Sequence, residues 1–165
     1  MRRFVASLPL AFATLAACSD DSTAPGPGER FAADLSGAGV VPAVTTTASG
    51  RAEFEFVGED AIRFTLSVNG MTGITQAHLH SGTPTQNGTL RVWLLPVNGT
   101  AAQTPSVDLT GVIAEGDIAR DWVRSTPTIT FDSLKTLMRN GAVYVDIHTQ
   151  ARTAGEVRGQ LSRVP

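Results

Sequence analysis

Between residues 51 and 68, apolar and polar side chains alternate with a period of two, and this constrains the chain more than any other feature. Ala52, Phe54 and Phe56 alternate with Arg51, Glu53 and Glu55; after Gly58-Glu59-Asp60, Ile62, Phe64, Leu66 and Val68 alternate with Arg63, Thr65 and Ser67. Successive side chains of an extended strand point to opposite faces, so each run carries one apolar and one wet face. Two such runs around a Gly-led turn predict an antiparallel hairpin, with Asn69-Gly70 closing its second strand. A sheet apolar on one side must cover that side, and 42% apolar residues supply material for a core. A length of 165 residues suits one domain.

The rest of the chain continues in short extended pieces. Strands are predicted over residues 74–80, 90–95, 107–114, 141–148 and 156–161, separated by segments rich in Pro, Asn and Gly such as Pro84 and Asn87-Gly88. Residues 115–127 carry no clear period. One helix interrupts the pattern near residues 133–139: Thr130 or Asp132 can cap it, Leu134, Leu137 and Met138 form its stripe, and Asn140-Gly141 stops it. The expected fold is all-β, an antiparallel β-sandwich or barrel-like sandwich with one short helix.

The first residues read differently. Met1-Arg2-Arg3 is a positive start, and residues 4–17 are an apolar run too short to span a membrane but suited to a signal peptide. The run ends in Leu15-Ala16-Ala17-Cys18, which resembles the bacterial lipobox, followed by polar Ser19-Asp20-Asp21. Cys18 is the single cysteine, so an internal disulfide is excluded and lipidation is its expected role. Several acyl chains on one residue would anchor firmly. Residues 18–28, with Pro25-Gly26-Pro27-Gly28, cannot bury apolar surface and read as a tether. The expected organisation is a lipoprotein signal peptide over 1–17, the lipidated Cys and tether over 18–28, and a β-domain over 29–165. The expected location is the bacterial cell envelope, exported and membrane-anchored.

Charge narrows the partners. The chain is formally −2, and without Arg2 and Arg3 of the leader it is about −4. Its one lysine is Lys135 and it has no basic run, which argues against nucleic acid. The expected partners are the membrane, through the anchor, and a protein or small ligand of unknown identity.

Several segments together resemble the CHRD domain family, named after the extracellular protein chordin. They are Phe31-Ala32-Ala33-Asp34-Leu35-Ser36-Gly37, Val41-Pro42-Ala43-Val44, Ala77-His78-Leu79-His80-Ser81-Gly82, Tyr144-Val145-Asp146-Ile147-His148-Thr149 and Gly155-Glu156-Val157-Arg158-Gly159-Gln160-Leu161. The match runs from about residue 29 to 163. Asp146 stands where the family often has Asn, and Ala154-Gly155 replaces a common Pro-Gly turn. The resemblance implies an extracytoplasmic β-rich module and no established reaction.

The three histidines of the chain, His78, His80 and His148, all lie in these segments. His78 and His80 are two apart on one predicted strand and so share a face. If the strand ending in His148 lies beside them, three imidazoles converge on a site suited to Cu or Zn, with Asp146 or water as fourth ligand. The competing reading has edge histidines that bond to backbone and fix loops, with Thr149, Ser81 and Glu156 as partners. The His-x-His strand also resembles that of copper–zinc superoxide dismutase, but that family needs more histidines and a disulfide pair, which counts against dismutase activity. Glu156 and Arg158 share a face of the last predicted strand and are candidates for structural ion pairing. Trp93 and Trp122 could form a binding patch, although Trp93 within an apolar strand reads as core. No nucleophile elbow, calcium loop or phosphate-cradling loop is present.

The leading functional expectation is therefore a noncatalytic binding or structural module of the envelope. The alternative is a Cu- or Zn-binding protein using the three histidines. A metal-dependent redox enzyme ranks below both, and no catalytic residues are assigned.

Overall fold

The structure, a computed structural model, describes residues 28–95, 108–123 and 129–165. The proposed leader, Cys18 and nearly all of the tether lie outside the described residues. Among the described residues nine strands follow in order: β1 (Arg30–Ser36), β2 (Ser49–Val57), β3 (Ala61–Thr72), β4 (Ile74–Thr83), β5 (Gln86–Leu95), β6 (Asp108–Ala119), β7 (Val143–Thr149), β8 (Val157–Gln160) and β9 (Ser162–Val164). One helix, α1 (Phe131–Arg139), enters between β6 and β7. The strands form a single antiparallel sheet ordered β5-β4-β7-β8-β1-β2-β3-β6, with β9 also pairing with β1. The sheet curls into a half-barrel, bringing its outermost strands, β5 and β6, near one another.

The period-two runs are β2 and β3. Phe54 faces Phe64 across the ladder, Ala52 faces Leu66, and Phe56 faces Ile62. All six are buried. The Phe54 and Phe64 rings stack 6.3 Å apart, and the concave face continues through Phe31, Leu35, Leu79, Val145 and Ile147. On the outer face, Arg51 bridges Asp34 and Glu53, and Arg63 meets Asp117. The helix adds Phe131, Leu134 and Met138 to the same core. Of its two candidate caps, Thr130 is the one used, its hydroxyl accepting from Ser133 N–H at 3.0 Å. No helix among the described residues is long and apolar enough to cross a membrane.

Several boundaries differ from expectation. Asn69-Gly70 does not end β3. Gly70 takes a left-handed conformation and the register slips between Val68 and Met71, so the strand bulges and runs on to Thr72 with Met71 fully buried. The turn into β4 falls at Gly73 instead. Residues 115–119, where no clear period was read, continue β6, with Gly116 pairing with Phe64 and Ile118 with Ile62. Asn87-Gly88, expected in a loop, follows Gln86 within β5, and the hairpin turn is Pro84-Thr85.

Candidate metal centre

The sheet order makes β7 the neighbour of β4, which brings His148 to the His-x-His strand. Across that ladder His78 pairs with Asp146, His80 with Tyr144 and Gln76 with His148. Because strand faces alternate, Tyr144, Asp146 and His148 share the face that carries His78 and His80, opposite the face where Ala77, Leu79, Val145 and Ile147 fill the core. This face belongs to the outside of the sheet, yet β7 is buried along nearly its whole length. Loops fold over it: Arg158 reaches the carbonyls of Gly39, Thr83, Pro84 and Gln86, and Asn87 donates to the carbonyl of Val41.

Three imidazoles and one carboxylate meet beneath these loops. His78 Nδ1 lies 3.2 Å from His148 Nε2. Asp146 Oδ1 lies 3.2 Å from His148 Nε2 and 3.5 Å from His78 Nδ1, and Asp146 Oδ2 lies 3.4 Å from His80 Nε2. One donor atom from each residue can be chosen so that all four fall within 4.8 Å of one another. A tetrahedral ion with bonds of about 2.0–2.1 Å needs donors about 3.3 Å apart, so the short separations already match that spacing.

The tautomers are set from outside the cluster. His80 Nδ1 donates to the Gly88 carbonyl at 3.1 Å, and His148 Nδ1 donates to the Thr153 carbonyl at 2.9 Å. A carbonyl can only accept, so in the neutral imidazoles both protons sit on Nδ1 and both Nε2 lone pairs face inward. They face a carboxylate, which also only accepts. Asp146 Oδ1 and His80 Nε2 are accordingly buried without a hydrogen-bond partner, despite the short approach of the two side chains. His78 Nε2 is likewise unpartnered, its ring edge-on to Trp93 at 4.4 Å between centroids. His148 Nε2 can accept from His78 Nδ1, 3.2 Å away, whereas His80 Nε2 and the Asp146 carboxylate are acceptors turned on each other, which calls for a proton or a cation between them.

The titration behaviour reflects this crowding. Burial pushes His78 below the ordinary imidazole value against the pull of Asp146. In His148 burial acts the same way, but the Asp146 carboxylate and the Thr153 carbonyl outweigh it and the value rises. Burial would raise Asp146, yet its contacts with His148, His78 and His80 hold it well below the usual carboxylate range.

A family model, the CHRD domain, matches residues 31–161, from the second residue of β1 to the residue after β8. The chain belongs to the CHRD domain family. No curated protein and no solved structure matched it. Within this CHRD domain the histidine segments therefore lie on neighbouring strands of one fold, β4 and β7.

Other candidates fall elsewhere. Among the described residues no ion pair is seen at Glu156 or Arg158, which were candidates for structural ion pairing. Glu156 accepts from the hydroxyls of Thr46 and Thr149 at 2.8 and 2.7 Å. Arg158 spends its terminal nitrogens on backbone carbonyls and lies over the Tyr144 ring, 3.7 Å from its centroid. Neutral partners satisfy both groups: hydroxyl donors at Glu156 and backbone carbonyl acceptors at Arg158. Thr149, Ser81 and Glu156 do not partner the histidines either: Ser81 accepts from Arg91, and Thr149 turns to Glu156. Trp93 is half-buried against His78 and outside the main core, because its register partner is His78. The carbonyls of Gly88 and Thr153 carry no side-chain signal, so no pattern of residue types could have revealed them. Asp146 was legible: the spacing Tyr144, Asp146, His148 is a strand face.

Proposed function

We propose that this CHRD domain is a noncatalytic metal-binding module of the cell envelope, holding one Zn(II) or Cu(II) ion. Its ligands are His78 Nδ1, His80 Nε2, His148 Nε2 and Asp146. One observation carries the reading: the His80 Nε2 lone pair, oriented by the Gly88 carbonyl behind the ring, faces the buried Asp146 carboxylate with no donor between, and His148 Nε2 and His78 Nδ1 lie beside it. Imidazole and carboxylate are ligands that both ions accept. Four protein donors leave a tetrahedral ion no open position, which favours binding over catalysis.

The same proposal places the domain outside the cytoplasm. The apolar leader and the lipobox-like Leu15-Ala16-Ala17-Cys18 support export and lipid attachment at Cys18, with residues 19–28 as a short tether.

Calorimetric titration of the full chain, purified in detergent without a histidine tag, tests the metal reading. One ion per chain should bind near neutral pH, and His80→Ala should abolish or sharply weaken binding while leaving the β-spectrum intact. Absence of stoichiometric binding of either ion at micromolar concentration would leave a metal-free binding or structural module, with the histidines fixing loops. A stoichiometric site unaffected by replacing each histidine in turn would place the metal elsewhere.

A further inference from the structure

We propose that Tyr144 is a positioning residue of this site, which, acting through Gly88 and through its ring, holds His80 with Nε2 turned to the ion. The inference rests on the metal-binding reading above and extends it to how a ligand is oriented. Tyr144 is only 2% exposed, so its hydroxyl must find a partner. It accepts from Gly88 N–H at 3.0 Å, and the carbonyl of the same Gly88 accepts from His80 Nδ1 at 3.1 Å. One glycine thus links the phenol to the proton that sets the His80 tautomer.

The sheet does not hold that glycine by itself. Ser81 pairs with Thr89 and Thr83 with Gln86, and the register breaks between them, leaving Gly88 outside the paired positions. Tyr144 Oη therefore gives the Gly88 amide an anchor where the ladder is interrupted. The approach requires glycine: a β-carbon on Gly88 would overlap the Ser81 carbonyl, and one on Gly82 would lie 2.8 Å from the Tyr144 ring. The Tyr144 ring also lies flat against His80, 6° from parallel with centroids 4.9 Å apart. Arg158, fixed by the carbonyls of Gly39, Thr83, Pro84 and Gln86, lies over the same ring and restrains it. Imidazole rotation about its own axis is thus opposed by a bond at Nδ1 and a plane at its face.

Tyr144→Phe separates the two contributions, since it keeps the ring and removes the hydroxyl. The readouts are the ¹⁵N spectrum of the imidazoles in the metal-free full chain at about pH 8, where unperturbed imidazole is neutral, and calorimetric Zn(II) affinity. Wild type should show His80 as the Nδ1–H tautomer. Tyr144→Phe should show a mixed tautomer and bind Zn(II) about 10- to 100-fold more weakly, and Tyr144→Leu, which also removes the stack, should weaken it further. A folded Tyr144→Phe protein with wild-type tautomer and wild-type affinity would overturn the proposal. If wild type binds no Zn(II), the metal reading fails, and the tautomer comparison still decides whether Tyr144 orients His80. If Tyr144→Phe does not fold, wild type decides: an Nε2–H tautomer at His80 overturns the proposal, and an Nδ1–H tautomer with a slowly exchanging Gly88 amide supports it.

Discussion

His78, His80 and His148 are three copies of one side chain made unequal by what stands behind each ring. Carbonyls at Gly88 and Thr153 turn Nε2 of two of them inward, while His78 presents Nδ1 and leaves Nε2 against Trp93. Protons compete with a metal for all three lone pairs, so metal affinity should fall as pH drops below about 6.5, as a titration series will read directly. The metal-free protein has its own pH dependence. Asp146 is held ionised far below its ordinary value of 3.8. Below about pH 4 the unfolded chain takes a proton that the folded chain refuses, so stability should fall with pH through that window. Asp146→Asn should remove this component, leaving a shallower acid slope in denaturant titrations; an unchanged slope would assign the acid sensitivity to other groups. The His78 and His148 shifts have opposite signs. His148 stabilises the fold below the ordinary imidazole value and loses that contribution as pH rises through its raised folded value, whereas His78 stabilises above the ordinary value and loses its contribution as pH falls through its lowered folded value. Near the ordinary imidazole value the two act in opposite directions.

The hairpin β2–β3 supplies much of the inner face, and its pattern was plain because every second residue of a half-covered strand meets the core. Phe54→Ala or Phe64→Ala should cost about 3–5 kcal/mol in chemical denaturation, given 3% and 1% exposure. A loss below about 1 kcal/mol at both would mean that neither ring is buried as described. The helix depends on a smaller effect. Thr130→Ala removes the hydroxyl that accepts from Ser133 N–H and should cost about 1 kcal/mol without touching the metal site. Strand ends were harder to read than strands. Gly70 resembles a turn glycine in sequence but makes a bulge, and Gly116, in a stretch with no clear period, packs opposite Phe64, so β3 and β6 run through them. A glycine reports that the backbone needs room or a left-handed angle, and both needs arise inside a curled sheet as well as between strands.

In the whole molecule, a filled site would tie β4, β5 and β7 to the loops above them. An ion that binds the folded chain and not the unfolded one stabilises by mass action, about 2.7 kcal/mol at a free concentration 100 times Kd. Zn(II) should therefore raise the Tm of wild type in a concentration-dependent way and leave that of the His80→Ala variant flat. The location of the molecule rests on a residue outside the described fold. Cys18→Ser should prevent lipid labelling and leave the precursor uncleaved or the protein released, as fractionation with labelled fatty acid will show. Labelled acyl chains and normal membrane retention in that variant would refute anchoring at Cys18.

Local pattern was enough for the β-class, the central hairpin, the short helix and the shared face of His78 and His80, because each follows from side-chain alternation or a capping residue within a few positions. The CHRD segments were legible in the same way, as residue order along the chain. Strand order was not. That β7 lies beside β4, and so brings His148 and Asp146 to within 3.5 Å of His78, depends on long-range pairing that no local period encodes. Nor could sequence show that the outward face of these strands is covered, because burial there comes from loops whose backbone carbonyls do the binding. The fates of Arg158 and Trp93 turned on the same fact. Side-chain type announces that a group is polar or apolar, but which partner reaches it first is decided when distant backbone is folded over it.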